Sequence, residues 1–283
     1  MNRFWTYLIR TLIIYLICFP FILMIERDTN PHYVEEEFAR NRNREISRIQ
    51  KEIKSNSGAE YSKYFRIAEL YKESKNYDKA IENYKLAEKY AKEKENLVNI
   101  ENLQNININI AKCYYEQNNY EMAAKYYENS LNYKQDGKIY WQLGFIYDKM
   151  KKYQQSIESY KKALNRLTDK RDLANVNYNI AHEYYDLGNK EMSAKYLAAS
   201  IDLKPDLNKQ YLLGNIYADL NNYEKAADCF ISIIKKDSKN RNAYIYLAKI
   251  YDKTDNQKGL RLLYELAAEN FPNNPPFKLI PKN

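Results

Sequence analysis

Hydrophobic and polar positions follow a helical period along most of the chain. Residues 107–131 carry apolar or small side chains three and four positions apart, and the same pattern returns without a gap in residues 177–201. Both segments read Asn-x-x-Ile-Ala-x-x-Tyr-Tyr and then Glu-Met-x-Ala-Lys-Tyr, 70 residues apart. This spacing predicts amphipathic helices. An offset of 70 suggests two units of about 35 residues, a period typical of helical-hairpin repeat proteins.

Six copies of one pattern occupy residues 61–272. Each copy has a small residue followed three positions later by a tyrosine; the small residues are Ala68, Ala111, Gly144, Ala181, Gly214 and Ala248, at intervals of 43, 33, 37, 33 and 34 residues. The two long intervals predict an extended hairpin around residues 92–102 and a longer connection near residues 168–172. The predicted units span about 61–94, 104–137, 137–170, 174–207, 207–240 and 241–274.

This pattern resembles the tetratricopeptide repeat, a unit of about 34 residues. That family carries bulky residues at positions 4, 7 and 17, small ones at 8 and 20, Tyr at 11, an aromatic at 24 and Ala at 27. The first unit matches all of them, with Tyr64, Ile67, Ala68, Tyr71, Tyr77, Ala80, Tyr84 and Ala87. Single units depart from the pattern at Asn107, Asn177, Lys190 and Leu260. The resemblance implies an all-α fold, a right-handed superhelical solenoid of about six hairpins. Each hairpin would have a first helix A and a second helix B, brought close together by the small residues.

Residues 4–25 predict a transmembrane anchor behind a short tail, residues 1–3. This segment of 22 residues has one charge, Arg10, and about 20 apolar residues span a bilayer as a helix. The alternative is a cleaved signal peptide, but no small-x-small site follows the segment. The pattern therefore favours an uncleaved anchor that precedes the solenoid.

Basic residues bear on the orientation of this anchor. Arg3 and Arg10 argue that the short tail stays in the cytoplasm, while Arg27 and the arginines at 40, 42 and 44 argue the opposite. A composition heavy in Lys, Asn, Ile and Tyr suggests an AT-rich bacterial genome. We expect a single-pass protein of the bacterial inner membrane with a periplasmic repeat array, the opposite orientation remaining open.

The regions that flank the array also have distinct patterns. Residues 26–60 predict a charged helical linker or N-terminal cap, with Ile46, Ile49 and Ile53 at helical spacing. The tail, residues 273–283, is rich in proline, which excludes the usual closing helix. Either residues 277–280 fold back over the last B helix, or that uncapped end docks on another molecule, self-association included.

Charge and reactive side chains change this picture little. The net charge is +8, but lysines alternate with glutamates, which favours a solvated surface, and we expect no nucleic-acid partner. Cys113 and Cys229 stand singly in helical patterns and are expected to be buried. There is no metal-ligand spacing, no phosphate loop and no catalytic arrangement around His32 or His182. We predict no catalytic residue, no metal, no cofactor and no enzyme.

The resemblance implies a binding groove lined by the A helices at positions 2, 5, 9, 12 and 13. Position 5 is bulky in every unit, and recognition surfaces are rich in Trp and Tyr. The alternative is that a tight superhelix partly buries position 5, or that the tail covers it. The predicted groove residues are Phe65, Asn105, Ile108, Lys112, Tyr115, Trp141, Phe145, Asn175, Tyr178, His182, Tyr185, Asn208, Tyr211, Asn215, Asn242, Ile245 and Lys249.

These features together predict a membrane-anchored scaffold that holds protein partners, such as a large membrane complex. Repeat arrays of this family often serve in bacterial envelope machines, including flagellar-motor and secretion assemblies, which is what the resemblance suggests. The alternative is a transient peptide-binding assembly factor or regulator on the cytoplasmic face. The family's clamp for acidic chaperone tails is absent, since Tyr211 stands where that clamp needs lysine.

Overall fold

The structure, a computed structural model, describes residues 31–55, 60–93, 100–274 and 276. This part of the chain forms helices only. They are α1 (Pro31–Lys54), α2 (Glu60–Glu73), α3 (Tyr77–Glu93), α4 (Ile100–Glu116), α5 (Tyr120–Leu131), α6 (Gly137–Lys149), α7 (Tyr153–Leu164), α8 (Lys170–Asp186), α9 (Lys190–Leu203), α10 (Leu207–Asp219), α11 (Tyr223–Lys236), α12 (Arg241–Lys253) and α13 (Gln257–Asn270).

The predicted transmembrane anchor, residues 4–25, lies outside the described residues, as do the short tail before it and residues 277–283. Among the helices that are described, none combines the length and the apolar character that a membrane crossing requires. The all-α prediction for the repeat region is confirmed, and the anchor stays a prediction.

The chain divides into two compact units, residues 1–119 and 120–283. In the first unit, α1 packs on the first hairpin: Ile46 and Ile49 are buried with Ile67 and Leu70 of α2. The guanidinium of Arg66 on α2 also donates to Glu45 on α1 at 2.9 Å. Helix α1 therefore packs against the first helix of the first hairpin.

The second unit contains four A–B hairpins, α6–α7, α8–α9, α10–α11 and α12–α13, preceded by α5. Three of the four B helices contribute large, fully buried side chains to the core: Tyr160 on α7, Leu197 on α9 and Phe230 on α11. Successive apolar clusters link each hairpin to the next along this unit.

Small residues set the distance between the two helices of a hairpin, as the sequence predicts. A Cβ atom added at Gly144 would lie 2.4 Å from ring atoms of Tyr160, and one added at Gly214 would lie 2.8 Å from Phe230. Such distances are far below van der Waals contact, so a larger residue would force the helices apart.

Each hairpin turns through one residue in the left-handed region. The next residue donates its N–H to the carbonyl of the tyrosine at position 11, as Lys152 does to Tyr147 at 2.8 Å. This is the closing bond of a helix C-terminal motif. At several turns that next residue also caps the B helix: Asn222 accepts from the Lys225 N–H at 3.3 Å. The left-handed residues are Lys75, Asn118, Lys151, Gly188, Asn221 and Asp255.

The prediction of a longer connection near residues 168–172 is wrong. Helix α8 already begins at Lys170, and the α7–α8 connection is as short as the α5–α6 connection. The extra residues form an additional turn of the A helix instead: α4 and α8 have 17 residues, whereas α6 has 13. A helix absorbs the insertion because it satisfies its own backbone hydrogen bonds.

Candidate functional site

The seventeen predicted groove residues all lie on A helices, and none of them is buried. We call this set the A-helix face; Phe65, Asn105, Ile108, Lys112 and Tyr115 lie on the first unit, and the other twelve residues lie on the second. Seven members are exposed: Asn105, Lys112, His182, Tyr185, Asn208, Asn242 and Lys249. The other ten are half-buried. The assignment of this face as a binding site stays a prediction.

The bulky residues at position 5 have the same intermediate burial in all six repeats; they are Phe65, Ile108, Trp141, Tyr178, Tyr211 and Ile245. One side of each aromatic ring can pack inward while the other remains accessible. Phe65 lies edge-on to Tyr84, with ring centroids 5.4 Å apart, and Tyr211 lies edge-on to Phe230 at 5.5 Å. Position 5 therefore belongs partly to the core, as the alternative reading expected, and partly to the surface.

An aromatic cluster on the second unit extends this face beyond the predicted set. Tyr246 on α12 lies 5.0 Å from Tyr211 and 5.5 Å from Phe230, measured between ring centroids. Burial and the neighbouring Tyr246 raise the pKa of Tyr211. Lys249 places its ammonium 5.0 Å from the Tyr246 ring centroid. Tyr246 stands at position 6, which is not aromatic in any other repeat, so the repeat pattern does not predict a ring there. The other residues at position 6 are Arg66, Asn109, Gln142, Asn179 and Leu212.

Hydrogen bonds hold Trp141 in place. With its amide oxygen facing the indole, Asn179 on α8 accepts from Trp141 Nε1 at 3.0 Å and donates to the Asn175 carbonyl at 3.3 Å. Two predicted members of the A-helix face are thus joined through a third residue. An indole held in one orientation loses less side-chain entropy on binding than a free one.

Tyr178 contacts a lysine that the sequence analysis did not single out. Lys209 Nζ lies 4.7 Å from the Tyr178 ring centroid and donates to Ser200 Oγ at 2.9 Å. Burial lowers the pKa of Lys209. The sequence does mark Lys209 as unusual, because it stands at position 3, where four of the other five units carry a buried apolar residue. Those residues are Ile106, Ile139, Val176 and Ala243.

The first unit carries a polar network beside Phe65. Lys72 on α2 donates to Glu69 at 2.8 Å and to Asn109 Oδ1 on α4 at 3.1 Å. The hydroxyl of Tyr84 on α3 also donates to Glu69. Three helices are therefore tied together below the face, which fixes the backbone that presents Phe65.

Glu183 on α8 is a carboxyl group placed in the core, with 2% of its surface exposed. The other five repeats have apolar residues at this position: Leu70, Cys113, Ile146, Ile216 and Ile250. Ser156 Oγ lies 2.9 Å from Glu183 Oε1 and 2.8 Å from the Gly144 carbonyl. Glu183 Oε2 has no hydrogen-bond partner among the described residues. Burial raises the pKa of Glu183 to about 7; the hydrogen bond with Ser156 lowers this pKa, while the charges of Asp148 and Asp186 raise it.

Protonation completes this buried network. A serine hydroxyl has one proton to donate. When Glu183 is protonated it can donate to Ser156 Oγ, and Ser156 can then donate to the Gly144 carbonyl. Ionised Glu183 would compete with that carbonyl for the same proton.

The described cysteines, Cys113 and Cys229, are buried, and His182 is paired at the surface. Burial raises the pKa of both Cys113 and Cys229 to about 11, so each stays a thiol at neutral pH. His182 Nδ1 lies 3.5 Å from Asp186 Oδ2 at the surface. Within the described ranges, no three His, Cys, Asp or Glu side chains are placed to hold a metal ion.

Family comparison identifies the hairpins. Three family models, each described as a tetratricopeptide repeat, match the chain: one at residues 64–94, 137–166 and 174–207, a second at 108–138 and a third at 211–275. The matches together cover well over half of the chain.

Two curated relatives share part of the array. The uncharacterized protein ycf37 of Guillardia theta is 34% identical over 111 residues, which are 38% of this chain and 62% of that protein. The transcription factor tau subunit sfc4 of Schizosaccharomyces pombe is 32% identical over 82 residues, 28% of this chain and 8% of that protein. The match thus spans less than two thirds of either relative.

Solved structures share the fold. The C-terminal part of a TPR repeat-containing protein from Cytophaga hutchinsonii matches with a TM-score of 0.52 at 23% identity, over 73% of this chain and 78% of that one. A tetratricopeptide repeat protein from Parabacteroides merdae matches with a TM-score of 0.51 at 14% identity, over 75% and 80% of the two chains.

Proposed function

Because the chain belongs to the tetratricopeptide repeat family, we propose that it is a protein-interaction scaffold that holds its partner on the A-helix face. The observation that carries the proposal is the row of bulky side chains at position 5, half-buried in all six repeats. Isolated exposed apolar residues are ordinary, whereas a row repeated along the A helices of one unit marks an interaction site. Trp and Tyr, which dominate binding energies at protein interfaces, fill three of the six places.

The exposed polar members of the face suit an extended peptide partner. Asn208 and Asn242 stand at position 2 of successive A helices, and both are exposed. An asparagine amide both donates and accepts, so it can pair with a peptide backbone. Half-buried rings beside such amides offer pockets for alternate side chains of the partner.

A matched set of variants tests this proposal. The full-length chain is tagged and its partners are recovered from its own cells, with Trp141→Ala and Tyr211→Ala compared against Phe38→Ala. Phe38 on α1 is an exposed aromatic outside the A-helix face. We expect the first two variants to lose the partner and the control to keep it. Retention by all three would refute the assignment of the face.

The place of the scaffold is a further part of the proposal. We infer that residues 4–25 anchor it in a bacterial inner membrane, with the array in the periplasm as part of an envelope complex such as a flagellar motor or a secretion machine. The apolar segment and the basic residues Arg3 and Arg10 support this assignment. Alkaline phosphatase, which folds only in an oxidising compartment, fused after Asn283 should be active. Fluorescence of a reciprocal green-fluorescent fusion, without phosphatase activity, would place the array in the cytoplasm instead.

The alternative function is that of a transient peptide-binding assembly factor or regulator on the cytoplasmic face. A stoichiometric complex that survives high salt supports the scaffold. Micromolar binding to a peptide, lost in Trp141→Ala, supports the alternative.

A further inference from the structure

Lys209 on α10 places a charged group where the second unit otherwise has core residues. It stands at position 3 of its A helix, and the other three hairpins of this unit carry the buried residues Ile139, Val176 and Ala243 there. Lys209 itself is half-buried. Its ammonium lies 4.7 Å from the ring centroid of Tyr178 on α8, a member of the A-helix face. A cation thus reaches the A-helix face from a position that is not among those that line the predicted groove.

The surroundings of this ammonium leave part of its hydrogen-bonding capacity unused. An ammonium group has three N–H donors. One of them donates to Ser200 Oγ at 2.9 Å, and Ser200 donates its own proton to the Ala174 carbonyl at 2.7 Å. Within the described part of the chain, no carboxylate forms an ion pair with the Lys209 side chain. The remaining N–H donors can therefore serve an acceptor that another molecule supplies.

The charge of Lys209 is only partly compensated by its own chain. Asp206 accepts from the backbone N–H of Lys209 at 2.9 Å, where it caps the start of α10. Burial lowers the pKa of the Lys209 side chain; the charge of Asp206 raises it and that of Lys204 lowers it, so the pKa stays below its ordinary value. A nearby anion stabilises the charged form of such a group.

The positions around Tyr178 carry no acid that would repel a carboxylate. Positions 2, 5, 6 and 9 of the four A helices in this unit hold neither Asp nor Glu. On α12, Lys249 adds a second cation, 5.0 Å from the ring centroid of Tyr246. Acids occur at positions 12 and 13, which lie roughly 13–15 Å beyond position 3 along a helix, a distance at which salt largely screens surface charges. These acids are Asp148, Asp186, Asp219 and Asp252.

We propose that the partner held on the A-helix face presents an aspartate or glutamate side chain, which accepts hydrogen bonds from Lys209 Nζ beside the Tyr178 ring. This assignment rests on the proposed function and specifies the chemistry of the partner. The carboxylate engages N–H donors that the chain itself leaves unused, and charge-assisted hydrogen bonds are stronger than neutral ones. Charge complementarity thus favours an extended acidic segment as the occupant of this part of the face.

Selection from a peptide library tests the proposal. Random short peptides are fixed to beads through their C-termini, so that only side chains supply carboxylates, and are offered to the full-length tagged chain in mild detergent. We expect the parent chain to select peptides enriched in Asp or Glu at one position, and Lys209→Met to select peptides without this enrichment. Methionine keeps an unbranched side chain at a position that is apolar in the neighbouring hairpins, so this variant should fold.

A matched control removes the charge of another lysine that contacts a tyrosine ring. Lys225 on α11 is exposed outside the A-helix face, with its ammonium 5.4 Å from the Tyr217 ring centroid. Lys225→Met should keep the acidic enrichment. In one selected peptide, changing the acidic residue to its amide should weaken binding to the parent by about ten-fold, and binding to Lys209→Met by less than about two-fold.

The outcomes separate the acidic partner from the function on which it rests. Peptides that bind the parent, are lost in Trp141→Ala and show no acidic preference would overturn the acidic partner and leave the face as a binding site. Acidic enrichment that persists in Lys209→Met would overturn the assignment to Lys209. If the parent selects no peptide, peptide binding on this face and the acidic partner both fail. A dimer, seen by light scattering, that dissociates in Lys209→Met would make a second copy the occupant and overturn the proposal.

Discussion

Replacing Glu183 with glutamine isolates the effect of one buried charge. Glutamine has the same shape and can donate its amide to Ser156 Oγ, so the hydrogen bonds of protonated Glu183 are kept and only the ionisation is lost. Glu183 is packed among groups that cannot neutralise it: Asp148 and Asp186 are acidic, and both raise its pKa further.

The size and direction of the effect follow from the pKa. Folding moves the pKa of Glu183 from an ordinary 4.5 to about 7. The folded chain therefore keeps its proton where the unfolded chain has lost it, so stability declines as the pH rises from about 4.5 through 7. At about 1.4 kcal/mol per unit, the full loss is about 3 kcal/mol. Between pH 5 and pH 8 it grows by about 2.5 kcal/mol.

Urea unfolding of the full-length chain in mild detergent, followed by circular dichroism, measures this difference at several pH values. We expect Glu183→Gln to be only slightly more stable than the parent near pH 5 and about 2–3 kcal/mol more stable at pH 8. Glu224→Gln, an exposed control on α11, should change stability by less than about 0.5 kcal/mol at either pH. A difference in unfolding free energy between the parent and Glu183→Gln that does not increase with pH would refute the reasoning.

Three further predictions test the hairpins themselves. Gly144→Ala puts a Cβ atom 2.4 Å from the Tyr160 ring and should destabilise the protein by about 1–3 kcal/mol in urea unfolding. An unchanged urea midpoint of unfolding would show that the two helices can separate freely. Lys151 adopts the left-handed conformation with φ of 56°, so Lys151→Gly should remove backbone strain and stabilise the protein by about 1 kcal/mol in the same assay. A loss of stability would contradict the presence of strain at residue 151. Burial raises the pKa of Cys113 and of Cys229 to about 11, so both thiols should resist iodoacetamide at pH 8 until urea is added. Peptide mass spectrometry measures the labelling of each cysteine. Rapid labelling of either cysteine in the native chain would contradict its burial.

The hairpins were predictable from sequence because their packing rules are local. A small residue such as Gly144 opposite Tyr160 leaves a periodic trace, and six such traces outweigh a departure at any one unit. Loop length was less predictable. An insertion can lengthen either a connection or a helix, and at α8 it lengthened the helix.

The candidate site was predictable in its positions but not in its neighbours. Position 5 could be assigned from the repeat, whereas the ring of Tyr246 and the ammonium of Lys209 reach this face from positions that are usually polar or buried. Glu183 was not predicted to be buried because glutamates are common on helix surfaces throughout this sequence. Aligning the six repeats against one another exposes it, since the other five residues at its position are apolar.

The positions of the helices repeat along part of the array. Helices α4, α5, α6 and α7 begin at residues 100, 120, 137 and 153, and α8, α9, α10 and α11 begin 70 residues later, at 170, 190, 207 and 223. The two long A helices, α4 and α8, thus stand one internal sequence repeat apart. A double hairpin of 70 residues is therefore the unit that recurs within this part of the array. Removing residues 107–176 would join equivalent points, Ile106 to Asn177, and shorten the reach of the scaffold without creating a new junction.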